Sequence, residues 1–236
     1  MILAVFGGRS LAQTATEQTG KKSTPSPDFP GAILFEWGMD YINSNSESMN
    51  TKAWQSPTFN IYYTYPLKFG GSRFAFVPGA GLSMQRLSFS NPVTLLDSSR
   101  ITLLKGITDL PRFQNTENIT RSKLFINYLD FPAEFRIHSR KNDHKRSWYL
   151  AFGAKFGLRI KAKTKIKFTE FGSDKVEQDS YNFHLNAIQV GYYGRFGYGP
   201  FTFWYFHRSN TLFQGDKIQG FLNPRLNTFG ISFSTF

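Results

Sequence analysis

Residues 148–163 read WYLAFGAKFGLRIKAK, and this stretch decides the fold of the chain. Apolar side chains occupy every second position from Trp148 to Ala162, and the positions between them hold small, aromatic and basic residues as far as Lys163. A period of two is the pattern of a β-strand that has one apolar face and one polar face. The stretch also exceeds the roughly 9–11 residues with which a tilted strand crosses a membrane, so we expect it to project beyond the bilayer.

Seven further segments of the chain alternate in the same way. They cover residues 33–41, 58–67, 73–85, 125–137, 180–196, 201–213 and 225–236. The sixth strand in chain order changes parity near Ala187, which we interpret as a β-bulge. The seventh is less regular, because Trp204 and Phe206 lie on the face that would otherwise be polar. The pattern predicts eight strands.

The segments between these strands alternate in length. Short breaks cover residues 68–72, 138–144 and 197–200, and long breaks cover residues 43–52, 90–122, 169–179 and 214–224. Antiparallel strands joined in this order form an up-and-down sheet. All long loops then lie at one end of the sheet, and the short turns lie at the other end together with both termini.

Eight antiparallel strands can close into two kinds of barrel, which differ in the face that they turn inward. A soluble barrel of the lipocalin type buries its apolar face, whereas a transmembrane barrel exposes that face and has a polar lumen. The chain contains 26 Phe, 11 Tyr and 4 Trp, which is more aromatic volume than a small eight-stranded interior holds. We therefore predict an all-β fold, a closed, eight-stranded, antiparallel, up-and-down transmembrane β-barrel. Long loops opposite short turns are typical of Gram-negative outer-membrane proteins, so we expect that membrane, a multi-pass chain and two periplasmic termini.

The first 29 residues differ in composition from the rest of the chain. Residues 1–13 contain a short apolar stretch followed by small residues, as in the remnant of a secretory signal peptide. Residues 14–29 are rich in Thr, Ser and Pro, and we predict that they form a polar periplasmic linker. The barrel is assigned to residues 30–236.

Composition excludes several kinds of site. The chain has no cysteine, so neither a disulfide scaffold nor a cysteine-ligated zinc site can form. His138, His144 and His184 lie on separate strands and turns and lack the spacing of metal ligands. No glycine loop has the lysine or the helix that phosphate binding requires. We therefore expect no metal and no cofactor.

The polar face of the predicted strands carries four acidic and four basic residues. They are Glu36, Asp40, Asp130 and Glu134, with Arg73, Arg136, Lys155 and Arg159. Such a set could form an ion path or a pair of catalytic carboxylates, or it could form a plug of charges that neutralise one another. We favour the plug, because buried charges must pair and eight strands enclose no aqueous channel.

The formal charge of +12 is concentrated in one part of the chain. Residues 136–167 contain eleven basic residues and a single acid, Asp143. Alternation spreads these charges along one strand, which does not form the basic surface typical of nucleic-acid binding. The turn from Arg140 to Arg146 is expected in the periplasm, where it is solvated or meets a protein partner. The residues expected at the outer rim, where they contact anionic lipopolysaccharide or are solvated, are Lys161, Lys163, Lys165 and Lys167.

The long loop from Ser90 to Ser122 is too apolar to be a free loop. Its apolar residues are Leu95, Leu96, Ile101, Leu103, Leu104, Ile107 and Leu110. Either a protein partner covers them or the loop folds back onto the barrel.

Three segments resemble known outer-membrane barrels. Residues 127–135 (NYLDFPAEF) are similar to a strand motif of the PorT-like β-barrel family of Bacteroidetes, and residues 203–213 are similar to the penultimate strand of that family. Residues 227–236 resemble the C-terminal insertion signal of bacterial barrels, although Phe236 has a different parity from Phe229 and Phe233. The resemblance spans about residues 30–236. Because some family members serve the type IX secretion apparatus, it implies a non-enzymatic structural or interaction subunit of an outer-membrane machine.

Residues 207–210 (His-Arg-Ser-Asn) indicate an alternative function. They resemble the H-x-S-N motif of outer-membrane lipid A deacylases, which are also eight-stranded barrels. His207 and Ser209 share the lipid-facing side of one strand, so the imidazole could act as base for the hydroxyl group. An acid should orient the histidine, and Asp179 and Asp216 are the candidates, neither of which the sequence assigns. Between the two functions we favour the non-enzymatic one.

Overall fold

The computed structural model describes residues 31–43, 49–97, 101–140, 147–215, 217–218 and 224–235. The predicted signal segment, the linker and Phe236 lie outside the described residues. Eight long strands form the barrel: β1 (Ala32–Asn43), β2 (Pro57–Thr64), β4 (Phe74–Ser88), β7 (Thr116–His138), β8 (Trp148–Glu170), β10 (Ile188–Tyr198), β11 (Phe201–Arg208) and β12 (Arg225–Ser234). The remaining strands lie outside the barrel wall or extend it, and they are β3 (Leu67–Lys68), β5 (Val93–Asp97), β6 (Thr102–Gly106) and β9 (Ser173–Asp179).

Each barrel strand pairs antiparallel with the next barrel strand along the chain, and the last one pairs with the first. The closing pair, β1 and β12, is in register from Leu34 opposite Ser234 to Asn43 opposite Arg225. Closure leaves the barrel without an unpaired edge. The predicted closed, eight-stranded, up-and-down architecture is therefore confirmed.

Side chains alternate across the barrel wall as the sequence predicts. On β8 the ring of Phe152 is 60% exposed, whereas Lys155 is 4% exposed. On β11 Phe203 is 70% exposed, whereas Trp204 and Phe206 are buried inside. Leaving apolar surface in water costs roughly 25 cal/mol for each Å². An exposed aromatic belt on every barrel strand is consequently a surface for lipid, not for water.

The prediction of the sixth strand is wrong over the first half of its residues. β10 begins at Ile188, not near residue 180, so the parity change near Ala187 is not a bulge. Residues 180–187 form a loop in which Phe183 and Leu185 are buried in an apolar core. Alternation misleads here because an inward-folded loop also buries some of its side chains and exposes others.

β8 does contain a bulge, at a place where the sequence did not indicate one. Opposite residues 127 and 128 of β7, β8 has one extra residue, Ile160. A bulge of this kind turns all following side chains to the other face. Ala162, which was predicted to face lipid, is therefore buried, and Lys161 and Lys163 lie on the outer face.

β7 and β8 are each 23 residues long and continue past the other barrel strands. With β9 they form a three-stranded ribbon at the long-loop end of the barrel. The start of β7 was predicted too late, at Phe125, because its first residues are polar and gain their strand structure from pairing with β8. The long strand predicted around Lys155 is confirmed.

The 90–122 loop folds back onto the chain, which was one of the two interpretations of its apolar residues. Strands β5 and β6 form a hairpin whose Leu95 is fully buried. Two short 3-10 helices follow, Ile107–Asp109 and Pro111–Phe113, and their buried side chains pack against Ile166 and Phe168 of the ribbon.

A large apolar core closes the long-loop end of the barrel. It joins the hairpin and the long loops to the ends of the barrel strands, and its fully buried members include Met49, Leu87, Leu124, Phe183 and Phe213. The helices among the described residues are short 3-10 turns, and none of them is long and apolar enough to cross a membrane.

Candidate functional site

Among the described residues, eight buried side chains of acidic and basic residues lie in the lumen of the barrel, and their formal charges balance. Each of the eight is at most 5% exposed. Burying charges without partners costs several kcal/mol each, so a balanced set is what a closed lumen requires. The four acids are Glu36, Asp40, Asp130 and Glu134, and the four bases are Arg136, Lys155, Arg195 and Arg208.

Arg195 of β10 joins two acids from different strands. Its guanidinium group lies 2.5 Å from Glu36 Oε1 and 2.9 Å from Glu134 Oε2. Arg136 forms a second ion pair with Glu134, and Asn60 Nδ2 donates a hydrogen bond of 2.7 Å to Glu36 Oε2. A fork of donors suits Arg for bridging two carboxylates in this way. The cluster crosses the lumen and links β1, β7 and β10.

A second cluster surrounds Asp130, closer to the long-loop end. Lys155 Nζ lies 3.2 Å from Asp130 Oδ2, and the Tyr62 hydroxyl group donates a hydrogen bond of 2.9 Å to the same oxygen. The Lys155 ammonium group also lies 4.1 Å from the ring centroid of Phe206. A Cβ atom at Gly157 would collide with Asp130 Oδ1. A luminal glycine is needed at that position because the charged pair fills the space beside it.

The two remaining buried charges meet neutral partners. Asp40 Oδ1 accepts a hydrogen bond of 2.6 Å from the Thr228 hydroxyl group. Arg208 donates to the Tyr128 hydroxyl group at 3.0 Å and to the backbone carbonyl oxygen of Ile188 at 3.2 Å. The paired clusters and the apolar core above them lie inside the barrel, and an eight-stranded interior is only just wide enough for side chains.

The buried set differs from the predicted one in its bases. Arg73 is exposed because it lies in the turn before β4, below the barrel wall. Arg159 is only half-buried, and its Nη1 atom donates to the backbone carbonyl oxygen of Asn182 at 2.6 Å. Their places are taken by Arg195 and Arg208, which the sequence analysis missed. The alternation of side chains could have identified Arg208, because Arg208 occupies an inward-facing position between the lipid-facing residues of β11.

The four predicted rim lysines all lie on the outer face of β8, but they differ in their partners. Lys167 Nζ forms an ion pair of 2.8 Å with Asp174 of β9. Hydrogen bonds from Lys167 and then from Thr169 lower the pKa of the Asp174 carboxyl group, so it stays ionised and keeps this lysine neutralised. For Lys161, Lys163 and Lys165 the described part of the chain contains no ion-pair partner.

Two further basic residues that the sequence analysis did not include lie beside these lysines. Arg86 is the last outward-facing side chain of β4, and Lys123 lies on β7 opposite Lys165. The Arg86 guanidinium group lies 5.7 Å from the ring centroids of both Phe59 and Phe125. The rim site consists of the cations of Arg86, Lys123 and Lys163 around the Phe125 ring.

The residues predicted for a deacylase are not joined by a hydrogen bond. His207 Nδ1 lies 2.8 Å from Asn227 Oδ1. Ser209 Oγ is buried and has no hydrogen-bond partner among the described residues. Of the candidate acids, Asp179 forms an ion pair with Arg112, and Asp216 lies outside the described residues. The geometry therefore presents no activated serine to a lipid.

Groups of three or more potential metal ligands are absent from the described ranges of the chain. His138 and His184 are far apart in the fold, because His138 ends β7 at the short-turn end and His184 lies in the loop before β10. His144 lies outside the described residues.

Comparisons with known proteins agree with this architecture. Residues 31–221 match the family described as "Outer membrane protein beta-barrel domain". The chain is similar to Neisserial surface protein A (NspA), with a TM-score of 0.40, 10% sequence identity, and coverage of 87% of this chain and 96% of that one. It is also similar to Ail, the attachment invasion locus protein of Yersinia pestis, with a TM-score of 0.34, 12% identity, and coverage of 87% and 97%. No curated protein sequence matches the chain.

Proposed function

This chain belongs to the outer-membrane β-barrel domain family, and from that premise we propose that it is a non-enzymatic structural or interaction subunit of an outer-membrane machine. A protein-secretion translocon of the type IX kind is the machine that the PorT-like resemblance favours. The chain would assemble with partners from both sides of the membrane and would not itself pass solutes.

The observation that carries this proposal is the filled, charge-balanced lumen. A conducting pore needs hydrated or exchangeable groups along its wall. Here the four buried acids and four buried bases lie close together inside a barrel that is too narrow for a channel. We therefore expect no stable conductance from the purified protein in a planar bilayer, and a large, stable conductance would contradict the proposal.

The proposed orientation places the long loops outside the cell and the short turns and both termini in the periplasm. This is the usual arrangement in outer-membrane barrels. It is supported by the size of the structured loops at one end, where the hairpin and the ribbon lie, and by the short connection Gly199–Pro200 at the other.

We propose the ribbon of β7, β8 and β9 as the main partner-binding surface. Within the described residues, β9 pairs only with β8, so its other edge carries unpaired backbone donors and acceptors. An edge of this kind is a template for another strand. Phe171 and Val176 on the ribbon are 74% and 50% exposed. The 90–122 loop contributes its exposed side beside the ribbon, because most of its apolar side chains are used within the chain.

The turn at residues 140–146 remains a second proposed surface, on the periplasmic side. Arg140 is exposed, and residues 141–146 lie outside the described residues. Its basic composition suits an acidic partner.

Site-specific photo-crosslinking in intact cells tests the ribbon. A photoreactive phenylalanine analogue at position 171 or 176 should yield a discrete crosslinked protein. The same analogue at position 203, which is 70% exposed but lies in the lipid belt, should yield none. Equal yields at all three positions, or none at any position, would contradict a ribbon interface.

Lipid A deacylation on His207 and Ser209 has less support, because the buried Ser209 Oγ atom has no hydrogen bond to an imidazole. We expect lipid A mass spectra to be unchanged by His207→Ala, and a shift by one acyl chain would favour the enzyme.

A further inference from the structure

A cluster of basic side chains surrounds one aromatic ring at the long-loop margin of the lipid belt. Phe125 of β7 lies opposite Arg86 of β4 on one side and opposite Lys163 of β8 on the other. The Arg86 guanidinium group lies 5.7 Å and the Lys163 ammonium group 5.2 Å from the Phe125 ring centroid. Lys123, two residues before Phe125 on the same face, completes the rim site.

The described residues of the chain do not neutralise the cations of the rim site. Within the described residues, Arg86, Lys123 and Lys163 form no ion pair with a carboxylate, and Lys123 Nζ donates a long hydrogen bond of 3.5 Å to the Gln55 carbonyl oxygen. Three other cations at this end of the molecule do have acidic partners, whereas Arg121 of the ribbon has none among the described residues. These ion pairs are Lys167 with Asp174, Lys175 with Glu170, and Arg112 with Glu177 and Asp179. Acids of the ribbon therefore neutralise three of the cations that lie farther from the lipid belt, and none of them pairs with the cations of the rim site.

The depth of the rim site matches a lipid headgroup. On β4 the outward-facing residues before Arg86 are Leu82 and Met84, and on β8 the belt ends at Ile160, just before the lysines. Long basic side chains at such a margin lay their stems on apolar surface and hold their charges at headgroup level. Arginine in addition binds phosphate through paired donors.

We propose that Arg86, Lys123 and Lys163 bind a phosphate group of lipid A, with its acyl chains lying along the apolar belt below Phe59 and Phe125. This inference rests on the proposed orientation, because lipid A occupies the outer leaflet. Lys161 and Lys165 flank the site and raise its positive potential. Lys167, although it belongs to the predicted rim, is excluded because Asp174 neutralises it.

Lipid binding by the purified protein in detergent tests the site. The variant R86Q/K163Q removes one arginine and one lysine from the rim site. The matched control, K68Q/R73Q, removes the same two residue types from exposed positions at the short-turn margin of the belt. Because each lost charge-assisted bond to phosphate weakens binding several-fold, R86Q/K163Q should bind lipid A about tenfold more weakly than the unaltered protein. The control should bind it as the unaltered protein does.

Dephosphorylated lipid A separates headgroup binding from acyl contacts. All variants should bind this lipid equally and weakly by native mass spectrometry. If R86Q/K163Q binds lipid A as tightly as the control, or if the unaltered protein binds both lipids equally, the site is overturned. K123Q serves as an independent variant, and an unheated gel on which the folded barrel migrates faster than the boiled chain shows that each variant has folded.

The results for the two double variants also distinguish a failure of the rim site from a failure of the proposed orientation. Loss of lipid A binding in K68Q/R73Q alone would place the lipid at the short-turn end and would contradict both. Loss in R86Q/K163Q with long loops that face the periplasm in cells would leave a phosphate-binding site in place, but it would overturn the orientation and, with it, lipid A as the ligand in the cell.

Discussion

At the scale of single residues, the stability of the barrel depends on the partners of each buried charge. Arg195 contacts two carboxylates, and Glu134 contacts two arginines, so their partners are shared. In such a network the loss of one member leaves other charges buried without compensation. Removing one acid and one base together should therefore destabilise the barrel less than removing either residue alone.

We predict that Arg195→Gln destabilises the barrel by about 3–5 kcal/mol, because Glu36 loses its cation and Glu134 keeps only Arg136. The free energy of unfolding can be measured by urea titration in lipid vesicles, with tryptophan fluorescence as the signal. The double variant Glu36→Gln with Arg195→Gln should recover part of the loss, since it restores the balance of charge. Lys161→Gln on the outer face is the control, and a loss as small as the control's would contradict a paired lumen.

The set predicted from the sequence contains six of the eight luminal charges of the described residues and omits two. Glu36, Asp130 and Lys155 lie in parts of their strands where the alternation is unbroken, so their inward direction follows directly. Arg73 continues the alternation of β4 but lies one residue before that strand begins, at Phe74. The alternation of side chains does not show where a strand begins or ends. Arg195 was missed because the loop before β10 disturbs the alternation near Ala187, and Arg208 was missed because it lies inside the His207–Asn210 motif.

At the scale of elements, the projecting ribbon is held by the loop that folds back on it. The Phe113 ring meets the Phe168 ring edge to face, with 5.1 Å between centroids, and Ile107 packs in the same cluster. Three-residue helices have little stability of their own. Their position therefore depends on these apolar contacts and on the ion pairs of Arg112 with Glu177 and Asp179.

We predict that Phe113→Ala releases the loop and leaves the barrel folded. Truncating a buried phenylalanine costs about 3–5 kcal/mol, which exceeds what two partly exposed ion pairs contribute. Trypsin should then cut at Lys105 or Arg112 much faster than in the unaltered protein, while the barrel still migrates as a folded species on an unheated gel. Phe135→Ala, on the lipid face, is the control, and equal cleavage rates in the two variants would contradict the fold-back contact.

The sequence predicted the barrel strands better than the ribbon for a physical reason. Barrel strands separate lipid from a polar lumen, so their side chains must alternate along the whole crossing. Beyond the membrane this constraint ends, and residues such as Thr116 and Asn118 take part in β7 only because β8 lies beside them. The bulge at Ile160 marks the point where the lipid-facing pattern of β8 stops.

At the scale of the whole molecule, charge and apolar surface are sorted into zones along the barrel axis. The short-turn half of the lumen holds the ion pairs, the long-loop half holds an apolar core, and the outer wall carries the belt with basic residues at its margins. Much of the net charge of +12 therefore lies outside the barrel wall, because the buried charges cancel. Because the two ends of the barrel differ in charge and in apolar surface, we expect the protein to have one preferred orientation in a membrane whose two leaflets differ.

We predict that the long-loop end faces the outside of the cell, and the absence of cysteine from the chain makes this directly measurable. Ser173 at the start of β9 and Ser139 after β7 are both exposed, and they lie at opposite ends of the barrel. In Ser173→Cys cells, a maleimide that cannot cross the outer membrane should label the protein at once. In Ser139→Cys cells it should react only after the membrane is permeabilised, because the short turn lies in the periplasm. The reverse order would mean that the ribbon and the rim site meet the periplasm and the inner leaflet, where lipid A is not the available phosphate.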